Sequence, residues 1–261
     1  MQARQQLEQD LRQALADNSF ELYYQPLVHL ASNEVKCLEA LIRWRHPVRG
    51  FVSPADFIPI AEETGLIVPI GNWVLRQACL DGARWPQHTK VAVNFARAQL
   101  NSPDVMTNLV ATLAETGFGA DRLQIEITES TVMNKPEKVF QLLQQFRALG
   151  VEIAMDDFGT GQSSLSCLRK FPFDKLKIDR SFVSDLTTSI EAQAILTAIV
   201  SLAKTLGMTT TAEGVETAEQ LDIVRVEGCT EMQGYFFSRP KPASEISEYF
   251  ASAIRASSKA A

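Results

Sequence analysis

Histidine is scarce in this chain. Its three copies, His29, His46 and His88, show no spacing that would pair two of them on a metal. Imidazole-driven nucleophilic catalysis and histidine-held zinc are therefore disfavoured. Cysteine is also sparse. Cys37, Cys79, Cys167 and Cys229 lie far apart and form no C-x-x-C pair. That pattern excludes a disulfide frame or a thiolate zinc site and suits reduced thiols in the cytoplasm. No apolar run approaches the ~18 residues of a membrane span. Basic residues are outnumbered, 25 Lys and Arg against 31 Asp and Glu, for a net charge of −6. A nucleic-acid polymer is therefore an unsuitable partner. A small anionic ligand in a local pocket remains compatible. Internal repeats and low-complexity linkers are missing too.

What is present is an ordinary globular composition, 46% hydrophobic and 21% charged over 261 residues. That length buries a full core without staples and suits one large α/β barrel or two smaller domains, of which the lack of a linker favours the first. The opening "MQARQQLEQDLRQALADNSF" is charged and amphipathic, which predicts a linker helix over 1–18. The barrel is expected over 19–256, followed by a flexible polar tail at 257–261. Strands are expected near 20–26, 36–42, 90–95, 122–128, 151–156, 174–178, 209–213 and 229–235. Helical patterns lie between them, as in "VFQLLQQFRALG", closed by Gly150, and "SIEAQAILTAIVSLAKTLG", ended by Gly207. Alternating strands and helices predict a parallel sheet, and about eight such units match a (β/α)₈ TIM-type barrel. The first two strands are joined only by "VHLASNEV", which holds no helix. They are expected to form a hairpin with one antiparallel strand.

Polar residues gather where strands end. Asn94 closes "KVAVNF", Glu126 and Glu129 fall in "RLQIEITES", and "VEIAMDDFGTG" breaks into Asp156 and Asp157. "DKLKIDR" sets Lys177 and Asp179 on one face. Glu213 ends another strand, Glu216 follows three residues on, and Gln233 precedes a glycine. In "CLEALIRW", Glu39 and Arg43 interrupt an apolar run. A buried charge is costly unless it is paired or holds a metal. Any one of these residues alone reads as a cap or surface ion pair. As a set they would converge on the barrel face where such enzymes carry their active sites. Two carboxylates about 4 Å apart repel by about 4 kcal/mol at an effective dielectric of roughly 20. Only Lys177 and Arg43 offset the carboxylates of this set. An oxygen-only donor set selects a hard ion, Mg²⁺ or Mn²⁺, one or two of them. The "DFGTGQSSL" glycines suit either a loop that orders on substrate or a plain βα turn.

These residues, in this order, resemble the EAL family of cyclic di-GMP phosphodiesterases. The likeness runs from "YYQP" at 23–26 to "QGYFFSRP" at 233–240. It includes the triplet Glu39–Ala40–Leu41 and "IRWRHP", "FIPIAEETGLI", "VNF", "EITES", "DDFGTG", "KIDRSF", "AEGVET" and "QGY". The resemblance implies hydrolysis of cyclic di-GMP to linear pGpG with Mg²⁺ or Mn²⁺, and inhibition by Ca²⁺. It implies metal ligation by Glu39, Asn94, Glu126 and Asp156, with Asp157 serving a second ion and Glu213 completing the site. Lys177 matches the lysine at the attacking water, and Glu129 the glutamate that anchors the loop after Asp157. Gln25, Leu41, Arg43, Asp179 and Gln233 match substrate contacts, and Glu216 a pocket position. On this reading Glu39 and Arg43 are two parts of one site, metal and phosphate, on one face of an extended strand. A homodimer and an upstream sensory or GGDEF-type domain are further expectations, and a longer parent could be membrane-tethered. The chain departs from the family at Cys37, Leu38, Ala96 and Gln162, none of them a ligand position. A silent cyclic di-GMP receptor is the main alternative, and another Mg²⁺ barrel enzyme the remaining one.

Overall fold

A computed structural model describes residues 2–133, 136–159 and 165–250. The predicted 257–261 tail, and Gly161, Gln162, Ser163 and Ser164, lie outside the described residues. The strands are β1 (Phe20–His29), β2 (Glu34–His46), β3 (Gly50–Val52), β4 (Lys90–Asn94) and β5 (Leu123–Thr128). They continue with β6 (Glu152–Phe158), β7 (Lys175–Ile178), β8 (Thr209–Glu213), β9 (Glu231–Gln233) and β10 (Lys241–Pro242). The helices that enter below are α1 (Gln2–Ala16), α2 (Pro54–Glu63), α3 (Ile67–Gly82), α4 (Arg97–Asn101) and α5 (Val105–Thr116). They are followed by α6 (Glu129–Met133), α7 (Pro136–Ala148), α8 (Leu165–Lys170), α9 (Arg180–Ser184), α10 (Ile190–Thr205) and α11 (Ala218–Val226).

The sheet runs β1-β9-β8-β7-β6-β5-β4-β2 and closes through β1 against β2. The expected eight-stranded barrel is therefore present. Within the barrel, β1 is antiparallel to both of its neighbours, β2 and β9, while β2, β4, β5, β6, β7, β8 and β9 pair in parallel in that order. The hairpin turns at Asn33, whose N–H donates to His29 O over 2.8 Å with φ +55°, a value asparagine tolerates. Strand β3 extends β2 beyond the barrel and was not legible beforehand. Three residues carry no readable period.

Period-2 alternation sorts each strand into two faces. Outward residues such as Leu38, Val91, Val93, Ile125 and Ile153 join the main core beneath the helices. Inside the barrel the apolar cluster among the described residues is Leu27, Cys37 and Ala92. Barrel interiors of this kind are ordinarily filled by layers of branched apolar side chains. Here the lower interior is polar and its charges are matched one to one. Lys175 Nζ lies 2.8 Å from Glu231 Oε2, and Lys90 pairs with Glu152. Thr211 Oγ1 also donates to Glu231. This plug is closed on itself and leaves the charge imbalance to the layer above.

Helix α1 is docked. Leu7, Leu11 and Ala14 are buried in the core with Phe20, Trp44 and Phe57. Asp10 Oδ2 sits 3.1 Å from His46 Nε2, while His46 Nδ1 accepts from the N–H groups of Val48 and Arg49. Gly150 ends α7 with φ +94°, a left-handed backbone that glycine adopts without Cβ strain. Among the described residues no helix is long and apolar enough to cross a membrane.

Candidate active site

Each barrel strand delivers one polar side chain to the same end. These are Gln25 on β1, Glu39 on β2, Asn94 on β4 and Glu126 on β5. Asp156 on β6, Lys177 on β7, Glu213 on β8 and Gln233 on β9 complete the ring. The register aligns them, with Gln25 opposite Glu39, Asn94 opposite Glu126 and Glu213 opposite Gln233.

Lys177 is the hub. Its side chain is 1% exposed, and Nζ lies 2.6 Å from Glu126, 2.7 Å from Glu213, 3.2 Å from Asp156 and 3.6 Å from Glu39. One ammonium faces four carboxyl groups, an excess of three negative charges when all four are ionised. Burial opposes the charge on Lys177, but Asp156, Glu126, Glu213 and Glu39 outweigh it and hold the amine protonated well above its ordinary range. Burial pushes Glu126 well above the carboxylate range, with Lys177 pulling the other way. Burial likewise pushes Glu213 up to about 8. A site this acidic and this dry favours a bound cation.

The amides fix the carboxylates. Asn94 Nδ2 donates to Glu39 Oε1 at 2.7 Å, and Gln233 Nε2 donates to Glu39 Oε2 at 2.6 Å. Gln233 also reaches Gln25 Oε1 at 3.2 Å. Gln124 Nε2 donates to Glu126 Oε1 at 2.7 Å.

Two consecutive aspartates in a regular strand would face opposite ways. Asp157 escapes this through a left-handed backbone, φ +53°, and the β6–β7 register shifts between Met155 and Phe158. The Asp157 N–H donates to Asp156 Oδ1 at 3.0 Å. Such a conformation costs roughly 1–3 kcal/mol in a non-glycine residue and concentrates at functional sites. Its result is that Asp156, Asp157 and Glu213 each offer an oxygen within 4.8 Å of one another. That donor set is all oxygen and strongly negative, and it fits a hard divalent cation.

Two cavities meet here and share Leu41 and Asp156. One, about 280 Å³, is lined by Gln25, Glu39, Asp179, Glu216 and Gln233 among others. The other, about 450 Å³, is lined by Arg43, Asn94, Arg97, Glu126 and Asp157 with apolar walls from α2 and α3. Leu41 and Arg43 continue the face that starts at Glu39, as expected. Arg43 does not pair with Glu39 in the hydrogen bonds of the described residues. Its guanidinium donates to Ile42 O at 2.9 Å and sits 5.5 Å from the Tyr23 ring centroid.

Residues 8–240 match the EAL domain family. The chain belongs to that family. An uncharacterized protein of Sinorhizobium fredii is 49% identical over 245 residues, covering 94% of this chain and 30% of that protein. The cyclic di-GMP phosphodiesterase NbdA of Pseudomonas aeruginosa is 42% identical over 248 residues, covering 94% of this chain and 32% of NbdA. This EAL domain thus spans about a third of the length of the curated relatives it matches. Among solved structures, the PaMucR phosphodiesterase in complex with c-di-GMP superposes with a TM-score of 0.88 at 40% identity, covering 92% of this chain and 99% of that one.

All eight ring residues of this EAL domain stand out in the sequence, whereas several side chains beside them do not. Asp179 lines the cavity but also caps α9, its Oδ1 accepting from the Ser181 N–H at 3.0 Å. Glu129 is buried at the start of α6 and lines neither cavity. The loop it is expected to anchor includes residues 160–164, which lie outside the described residues. Arg180, Gly214 and Tyr235 line the first cavity and Arg97 the second. Arg180 and Tyr235 adjoin Asp179 and Gly234 inside "KIDR" and "QGY", so their motifs carried the signal. Of the family departures, Ala96 lines the second cavity, Cys37 faces the barrel interior and Leu38 the outer core.

Gly234 is required for steric reasons. A Cβ there would lie 2.0 Å from Val215 O and 2.4 Å from Val215 N. Backbone cannot yield as a side chain can. Gly234→Ala is expected to destabilise the protein by about 1–3 kcal/mol, an overpacking cost, by prising apart the two loops at the cavity floor. Urea unfolding checks this, and an unchanged midpoint would show that the loops have room.

Proposed function

We propose that this EAL domain is a metal-dependent phosphodiesterase that hydrolyses cyclic di-GMP to linear pGpG. The observation that carries the reading is Lys177, fully buried among four carboxylates, beside an oxygen triad of Asp156, Asp157 and Glu213. Homology to phosphodiesterases, and the c-di-GMP bound to PaMucR, support the substrate. Glu39, Asn94, Glu126, Asp156, Asp157 and Glu213 would hold one or two Mg²⁺ or Mn²⁺ ions. Such an ion, when bound, acidifies coordinated water and neutralises charge on a phosphate.

The chain's own groups do the rest. Arg43 presents its guanidinium along the strand from Glu39 and binds a phosphate through paired N–H donors. Gln25, Leu41, Asp179, Glu216 and Gln233 seat the rest of the dinucleotide. Lys177 points its ammonium at the position of the attacking water, orients it, and meets charge that grows on the phosphoryl oxygens. Water adds to phosphorus, one P–O ester bond breaks, and the water proton ends on the released sugar hydroxyl. Glu129 supports the loop after Asp157. The form we assign it is a cytoplasmic homodimer, with the 19–256 barrel and the 1–18 helix carried in a longer parent chain, a reading supported by relatives about three times its length.

The test is chromatography of pGpG after mixing the protein with cyclic di-GMP. Product is expected with Mg²⁺ or Mn²⁺ and not with EDTA. Ca²⁺ is expected to suppress it, because its longer bonds and looser geometry misplace the reacting groups. Bound but unconverted cyclic di-GMP under every metal condition would overturn the reading and make this domain a receptor.

A further inference from the structure

Beneath the ring of strand-end residues lies Gln124, which none of the assigned roles uses. It sits on β5 two residues before Glu126, so both point into the barrel. It is 0% exposed. Its Nε2 donates to Glu126 Oε1 at 2.7 Å, while Glu126 Oε2 faces Lys177 Nζ at 2.6 Å. The two oxygens of Glu126 are therefore held by different partners, one from below and one from the centre.

The other half of the amide is idle. Gln124 Oε1 is buried and has no hydrogen-bond partner among the described residues. An orphaned buried carbonyl is a cost that a methionine or leucine of similar volume would avoid. Barrel interiors accept such apolar residues readily. Ala92, directly opposite Gln124 in the register, is in fact apolar. The lower charge pairs do not explain the amide either, since Lys175 with Glu231 and Lys90 with Glu152 are complete without it. What remains is its single bond to Glu126.

We infer that Gln124 is a positioning residue that holds Glu126 in its cation-binding orientation. This rests on the proposed metal-dependent function. The reason is geometric. Lys177 holds only Oε2 of Glu126, so without Gln124 no hydrogen bond among the described residues fixes Oε1, and the carboxylate can turn about its one remaining contact. A ligand that must first be ordered binds its ion more weakly.

The experiment measures Mn²⁺ binding by titration calorimetry, without substrate, on the wild type, Gln124→Met and Gln124→Asn. Methionine keeps the volume and removes the donor. Asparagine keeps an amide but is one methylene too short to reach. Both variants are expected to bind Mn²⁺ about 10- to 100-fold more weakly, the usual loss when an outer partner of a metal ligand is removed. Their thermal midpoints in EDTA are expected to stay within about 4 °C of the wild type. In the pGpG assay at fixed Mn²⁺, kcat should fall while KM for cyclic di-GMP holds within a few-fold. A purely structural glutamine would give the reverse, a lowered midpoint with unchanged Mn²⁺ affinity, and that result would overturn the inference. If Gln124→Met fails to fold, unchanged affinity in Gln124→Asn is equally decisive against it. Wild-type protein that binds no Mn²⁺ refutes the metal-dependent function itself, and the inference falls with it.

Discussion

Lys177→Met is expected to lower the turnover of cyclic di-GMP by about 100- to 1,000-fold while KM changes only a few-fold. The split follows from where the ammonium sits. It is buried at the bottom of the cavity among four carboxylates, not at the mouth where a base or a ribose would rest. Its charge acts on the water and the developing phosphoryl charge, which exist chiefly in the transition state. The same substitution also has a large structural effect. It removes the one cation from a group of buried anions, and breaking such a pair costs about 3–5 kcal/mol. The thermal midpoint in EDTA should therefore drop, and Mn²⁺ should recover part of the loss by supplying positive charge to the same carboxylates. Equal losses in kcat and 1/KM would argue against the assigned role. An unchanged midpoint would argue against the electrostatics.

Glu39→Ala should show the opposite balance. Turnover is expected to fall by about 1,000-fold, the several kcal/mol that a divalent ion contributes at a reacting phosphate. Mn²⁺ affinity should fall with it. Stability should not. Glu39 is one of four like charges around a single lysine, so removing it relieves repulsion. It does strand the amides of Asn94 and Gln233, which donate to its two oxygens. Those amides stand beside the cavity, where water can replace the lost acceptor. A midpoint within about 4 °C of the wild type in EDTA is expected. A stable variant with full activity would remove Glu39 from the metal site. Together the two substitutions separate charge balance from catalysis, because one removes the minority sign and the other the majority sign.

Much of this molecule was legible before its coordinates. The eight barrel strands were placed within a few residues because buried strands are apolar, short and bounded by helical patterns. Misses have local causes. Strand β9 runs only over Glu231–Gln233, shorter than the predicted 229–235, because Gly234 turns the chain against Val215. Strand β3 was too short to show a period. The short helices α4, α6, α8 and α9 hold about one turn each, less than a periodic signal needs.

The sequence by itself determined which residues share a face. Alternation is a local property, so Glu39, Leu41 and Arg43 had to lie together, as did Lys177 and Asp179. It also confined the candidate donors to oxygen, with almost no imidazole or thiolate to compete. Only the tertiary structure decided distances between strands. That one lysine would lie within 3.6 Å of carboxylates from four different strands depends on barrel closure and stagger, which no local pattern encodes. That Asp156 and Asp157 would face one centre depends on a left-handed backbone at Asp157 that alternation forbids. That the barrel interior would be a polar plug, neutral below and acidic above, depends on which buried charges meet. Charges are read from a sequence one at a time, but their energies are set in pairs by separation and burial, and folding alone fixes both.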